Sequence, residues 1–303
     1  MSILYKMNRV TFEADRWFLR AYSPQPFEEL PVANQVAVIH PGWARHPSSY
    51  LSLMLELETA GIFPIAVDTR YGYANRFPIK QSPSATSLPK IMLQPYDVGN
   101  NNRLIPEATK IDNRGALRKA TATLAICEAL GVKEFHLLGH SDGGRTATAV
   151  VEVAPSQVQS LTLVNAVGIG KTPDAKSYID SRTFKRVAEE RIELLREGLT
   201  TRDLVIGGLS SALYAITHPR RVALEYTTIR SADTWAVLER LAEDTPVHVL
   251  QAKNDPLIDY ADALSKATEH PNIQFTSTEG AHNNFYNHVV QELIVRTLTT
   301  PIN

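Results

Sequence analysis

Along most of this 303-residue chain, short apolar, β-branched runs alternate with longer stretches of helical period, and few folds accept that order. Strands are expected at 9–14, 17–22, 36–39, 65–67, 135–138, 161–164, 247–250 and 273–276. Helices are expected at 48–60, 113–130, 143–153, 233–241, 259–269 and 284–298. The first two strands alternate in polarity like a hairpin. The other six are nearly continuous apolar runs, as in strands covered on both faces. Strands joined through helices pair in parallel, so the pattern predicts an α/β chain with a doubly wound, mostly parallel sheet.

Two stretches break the alternation. Residues 72–112 carry five prolines (Pro78, Pro83, Pro89, Pro95, Pro106) and a polar run at 99–103, and are expected to form a long irregular excursion. Residues 168–232 hold ten charged side chains between 180 and 197, followed by the more apolar 204–216. This second stretch reads as a helical cap over the carboxyl edge of the sheet, between two core segments at 1–167 and 233–303.

Charge and cysteine content exclude several functions. Lys plus Arg (31) nearly cancels Asp plus Glu (32), which leaves too weak a field to hold nucleic acid or an anionic membrane surface. The one cysteine, Cys127, can form neither an internal disulfide nor a thiolate zinc site. No run reaches the ~18 apolar residues of a membrane span, and residues 1–10 lack the apolar centre of a secretion signal. The expectation is a soluble, cytoplasmic protein. Nothing in the sequence marks its oligomeric state.

The strongest local signal is Gly139-His140-Ser141-Asp142-Gly143, where a predicted strand runs into a helix. A serine on so tight a turn needs small residues two before and two after it, and the turn presents its hydroxyl above the sheet. A serine alcohol is a poor nucleophile at neutral pH, so this reading requires a histidine base and a carboxylate that orients it. Asp255 follows the strand at 247–250, and His282 follows the last strand, both in loops at the same sheet edge. Asp259 and Asp262 rival Asp255 but fall within the next helix. Among the nine histidines, His46, His218, His270 and His288 read as surface residues, and His136 and His248 as satisfied core groups. His140 is expected to pack beneath the elbow, and His282 is read as the base because it combines a strand-end loop with the right order along the chain.

Acyl transfer also needs N–H donors for a tetrahedral oxyanion. Asp142, next after the serine, can supply one. The second is expected from His40-Pro41-Gly42-Trp43, where Pro41 has no N–H and Gly42 permits a close turn, so Trp43 or Ala44 donates, with Trp43 preferred. A second signal, Gly170-Lys171-Thr172 after a strand, fails as a phosphate loop: Asn165 stands where the first glycine is needed, and Pro173 disfavours a capping helix. No metal-binding pattern occurs.

With these motifs in hand, the chain resembles the α/β-hydrolase superfamily. The resemblance rests on His40-Pro41-Gly42-Trp43, Asp68-Thr69-Arg70-Tyr71-Gly72, the Gly139 to Gly144 elbow, Asp255-Pro256 and Gly280-Ala281-His282, in that order along nearly the whole chain. It implies an eight-stranded sheet, a cap after the sixth strand, and cofactor-free hydrolysis of a small ester-like substrate through an acyl-enzyme. Three departures stand out. His-Pro-Gly replaces the usual His-Gly, the 72–112 connection is longer than usual, and Ala252 stands where glycine is common. Relatives that attack with aspartate, the haloalkane dehalogenases and epoxide hydrolases, are excluded by Ser141. A triad does not name its substrate, so lactone, amide and carbon–carbon cleavage, or a low-turnover receptor, stand beside ester hydrolysis.

Overall fold

A computed structural model describes residues 7–14, 17–32, 35–43, 45–68, 109–172, 216–217, 229, 232–241 and 245–299. Eight strands make one sheet: β1 (Asn8–Ala14), β2 (Trp17–Ser23), β3 (Gln35–His40), β4 (Ile62–Asp68), β5 (Phe135–His140), β6 (Val158–Val164), β7 (Val247–Ala252) and β8 (Gln274–Thr278). Their order is β1-β2-β4-β3-β5-β6-β7-β8. β2 is antiparallel to both β1 and β4, and every pairing among β3 to β8 is parallel. All eight expected strands are present. Pro64 lies inside β4 without breaking it, because β2 joins only at Ala66 to Asp68 and β4 has β3 alone beside Pro64.

Among the described residues six α-helices follow the expected order: α1 (Leu51–Thr59), α2 (Thr109–Ala129), α3 (Asp142–Val153), α4 (Trp235–Leu241), α5 (Tyr260–Glu269) and α6 (His288–Thr299). The period-2 alternation of buried strands divides the core in two. Val36 and Val38 of β3 join Leu137, Leu163 and Val249 against α2 to α5. Ala37 and Ile39 turn to the other face, where Leu138, Val164 and Leu250 meet α1 and α6. Helices on both faces bury both sides of every central strand, as the runs of apolar residues require.

The excursion expected over 72–112 is corrected at its end, where α2 already begins at Thr109. The helical period of 109–112 is masked in the sequence by its polar side chains. The rest of the excursion, 72–108, and most of the expected cap, including 204–215, lie outside the described residues. Among the described residues no helix is long and apolar enough to cross a membrane. Cys127 is buried in α2, and burial pushes its thiol up to about 12.

Candidate active site

The buried strand β5 ends at His140, Ser141 follows with φ 55° and ψ −125°, and α3 begins at Asp142. A positive φ is costly for a residue with a side chain, and neighbours on every side hold it here. The Ser141 N–H donates to Val164 O (3.1 Å), and Ser141 O accepts from Val167 (3.1 Å) and Gly144 (3.0 Å). The flanking glycines are forced by space. A Cβ on Gly139 would lie 2.6 Å from Gly144 Cα, and one on Gly143 would lie 2.1 Å from His40 O.

The structure brings Ser141, His282 and Asp255 together. His282 Nε2 is 2.9 Å from Ser141 Oγ, and His282 Nδ1 is 2.8 Å from Asp255 Oδ2. A carboxylate only accepts, so Nδ1 carries the ring proton and Nε2 offers its lone pair to the serine hydroxyl. Asp255 Oδ1 accepts from the N–H groups of Leu257 (2.8 Å) and Ile258 (3.2 Å), which fixes the carboxylate in its turn. Its rivals do other work. Asp259 caps α5 by accepting from Asp262 N–H (3.1 Å), and Asp262 pairs with Lys171 (3.2 Å). That pairing already occupies the lysine of the Gly-Lys-Thr sequence.

Of the two expected oxyanion donors, Asp142 opens α3, where backbone N–H groups lack helical acceptors. The loop after β3 passes close to the elbow: a Cβ on Gly42 would sit 3.1 Å from Ser141 Cβ. Gly42 N–H is committed to Tyr50 Oη (2.8 Å), and Trp43 carries the next N–H along the chain. The Asp142 carboxylate takes no part in this cleft. Arg145 Nε (2.8 Å) and Lys119 Nζ (3.3 Å) bind its two oxygens and hold its pKa far below the usual carboxylate range despite burial.

The remaining histidines divide differently from expectation. His140 is buried beneath the elbow, as read from sequence. His136 and His248 are buried and pushed below their ordinary pKa by desolvation, and neither Nε2 has a partner among the described residues, although His136 Nδ1 meets Ser160 Oγ (2.8 Å). His46 is half-buried against the Tyr22 ring (5.1 Å), and His270 stacks on Trp235 (5.1 Å); both are drawn off the surface by aromatic contact. His288 is exposed, and His218 lies outside the described residues. Among the described residues no three His, Cys, Asp or Glu side chains converge as metal ligands.

Three groups escape a reading of the sequence alone. Asn165, at φ 45°, donates from Nδ2 to His282 O (2.9 Å) and accepts at Oδ1 from Ala252 N–H (2.8 Å), so it ties the β6 and β7 ends to the His282 loop. Arg45 donates to Tyr286 Oη (3.1 Å) and to Asn283 Oδ1, next to His282. Tyr50 lies under the loop after β3. For Asn165 the position after a buried strand is a usable signal. For Tyr50 and Arg45 the sequence holds none.

Comparison with known proteins bears on the whole of this arrangement. A family model of the alpha/beta hydrolase fold matches residues 38–289. The 2-hydroxy-6-oxo-6-phenylhexa-2,4-dienoate hydrolase of Rhodococcus sp. strain RHA1 superposes with a TM-score of 0.61 at 13% identity, over 97% of this chain and 99% of that one. A bromoperoxidase from Bacillus anthracis gives 0.64 at 14% identity, over 97% of this chain and 100% of that one. At such identities the likeness is one of fold. The dihydrolipoyllysine-residue acetyltransferase component of the acetoin cleaving system of Pseudomonas putida is 38% identical over 104 residues, 33% of this chain. This chain spans 28% of the length of that relative. The family match covers most of the chain, including β4 to β8 and the elbow, and the protein therefore belongs to the α/β-hydrolase superfamily.

Proposed function

We propose that the protein is a cofactor-independent serine hydrolase that cleaves small to medium carboxylic esters through an acyl-enzyme. The observation that carries this reading is the unbroken hydrogen-bond line Ser141 Oγ, His282 Nε2, His282 Nδ1, Asp255 Oδ2, with contacts of 2.9 and 2.8 Å. Ser141 attacks the ester carbonyl as its proton passes to His282 Nε2, and Asp255 holds the ring and stabilises the imidazolium that forms. The oxyanion of the tetrahedral intermediate is received by the backbone N–H groups of Asp142 and Trp43, each worth about 3 kcal/mol of barrier. Collapse of the intermediate expels the alcohol, which takes the proton from His282. Water, deprotonated by the same ring, then attacks the acyl-enzyme and releases the acid. Residues 168–232 act in this reading as a cap that selects the substrate.

The test pairs fluorophosphonate labelling and peptide mass analysis with nitrophenyl esters from acetate to decanoate. The expected result is an adduct on Ser141, turnover that ranks the acyl chains, and loss of about 10⁵-fold in kcat for Ser141→Ala with the fold retained. An adduct without ester turnover would move the assignment to lactone, amide or carbon–carbon cleavage or to a receptor. Absence of an adduct would overturn it.

A further inference from the structure

Between the loop after β3 and the loop that carries His282 runs a line of buried polar groups that the acyl-transfer steps do not use. Gly42 N–H donates to Tyr50 Oη (2.8 Å), Tyr50 Oη meets His140 Nδ1 (2.8 Å), and His140 Nε2 meets His282 O (3.0 Å). Tyr50 and His140 are fully buried, and both pack on the Phe285 ring, at 4.8 and 4.2 Å between centroids.

The chemistry fixes the direction of every bond. His282 O is a carbonyl and only accepts, so His140 carries a proton on Nε2. Burial, with the nearby His282 and Arg45, holds the His140 pKa well below its ordinary value, so the ring is neutral and its Nδ1 is an acceptor. The Tyr50 hydroxyl therefore donates to Nδ1 and uses an oxygen lone pair for Gly42 N–H. Each of these groups has one role: reversal of the Tyr50–His140 bond would set the Nε2 lone pair of the neutral ring against His282 O, acceptor against acceptor, and leave the buried Tyr50 proton without an acceptor.

We propose that Tyr50 and His140 are positioning residues, whose one-way hydrogen-bond line holds the oxyanion loop and the His282 loop at a set separation on either side of Ser141. The proposal rests on the serine-hydrolase reading above. Tyr50 orients the Gly42 peptide and with it the Trp43 N–H. His140, adjacent to Ser141 in sequence, holds the His282 backbone so that Nε2 stays within reach of the hydroxyl. Because the line runs through packed rings, a shift of one loop displaces the other.

The experiment compares wild type, Tyr50→Phe, His140→Asn and the double variant. Tyr50→Phe keeps the ring stack on Phe285, and His140→Asn keeps an acceptor near Tyr50 but loses the donor to His282 O. On a nitrophenyl ester each single variant is expected to lose about 10- to 100-fold in kcat, with KM within about twofold, the scale of a misplacement near 1 Å. Affinity for a boronic acid that forms a tetrahedral Ser141 adduct should fall with kcat/KM, and affinity for the product acid should hold. The double variant should be no slower than the slower single, within about twofold, because one line is cut either way. Additive losses, or equal losses for boronate and product acid, would mean plain packing and overturn the proposal. Should a variant fail to fold, a long-range proton–nitrogen spectrum of the wild type decides: a neutral Nε2–H tautomer for His140 supports the line, and any other form overturns it. Wild type that takes no fluorophosphonate label refutes the hydrolase reading and this role together, whereas a labelled, active wild type with an undiminished Tyr50→Phe refutes this role alone.

Discussion

Asp142 and Asp255 are both buried carboxylates at the carboxyl edge of one sheet, and their surroundings are opposite. The Asp142 side chain, 3% exposed, faces two cations, with Arg145 Nη2 at 2.5 Å and Lys119 Nζ at 3.3 Å. The Asp255 side chain is fully buried and faces the His282 imidazole at 2.8 Å, with neutral N–H donors around it, among them Gln251 Nε2 at 3.3 Å. A carboxylate set between two cations is fixed in its ionised state and can only hold structure. One set against a titratable ring can exchange stabilisation with that ring as its charge changes. Two carboxylates at one sheet edge thus differ in what they can do, and the difference lies in the partner.

The largest expected effect tests the imidazole side. In Asp255→Asn, the side-chain carbonyl should stay with Leu257 and Ile258 N–H, its present donors at 2.8 and 3.2 Å, which turns the amide NH₂ toward His282 Nδ1. The ring then adopts the other tautomer and presents N–H, not a lone pair, to Ser141. A loss of about 10⁴-fold in kcat is expected on ester substrates, with melting little changed. Full activity would break the contrast by making Asp255 as passive as Asp142.

The cation side should fail in stability rather than rate. Asp142→Asn leaves Arg145 and Lys119 facing each other without a charge between them, at an expected cost of about 3 kcal/mol in denaturant unfolding and little change in kcat. The pH dependence follows from the direction of the shift. The folded state holds Asp142 below its ordinary 3.8, so the stabilisation is complete above about pH 4 and is lost as pH falls toward the folded-state value. The stability gap between wild type and Asp142→Asn should therefore be flat from neutrality down to about pH 4 and close below it. The wild type itself weakens earlier. Buried His40, held down to about 3, and buried neutral His140 take up protons only on unfolding, so both favour the unfolded state as pH drops through about 6.5. Lys119→Met refines the same point: with Arg145 still in place, about 1 kcal/mol is expected.

How far the sequence foretold this site depends on the kind of interaction. Ser141, Asp255 and His282 were legible because each sits in a loop at a strand's carboxyl end, with small residues that the turn geometry demands around the serine. The sheet was legible from runs such as 135–138, since burial on both faces leaves only apolar choices. Tyr50 was not legible: it lies in the first turns of a helical stretch, where a tyrosine carries no local mark, and its partners Gly42 and His140 are 8 and 90 residues away. In the sequence Asn165 stands out only as a residue in place of a phosphate loop's glycine, whereas its left-handed backbone and its hold on His282 O depend on contacts 117 residues distant. The motif residues follow from local backbone form, whereas the supporting ones are fixed by the three-dimensional meeting of loops.

The smallest expected effect bounds the contrast from outside. Lys253 and Glu279 form a short ion pair, 2.5 Å, and lie two and three residues from Asp255 and His282 in sequence, so proximity alone would make them important. Their side chains are 46% and 78% exposed, and water and salt screen such a pair almost completely. The two loops are also joined by backbone bonds that any side chain preserves, Lys253 N–H to Thr278 O (3.0 Å) and Asn254 N–H to Gly280 O (3.3 Å). Lys253→Ala should therefore leave kcat, KM and the melting temperature at their wild-type values, at low and at high salt alike. A salt-sensitive loss of kcat in this variant would mean that exposed charge, too, sets the distance between Asp255 and His282, and burial would no longer separate the groups that matter here from those that do not.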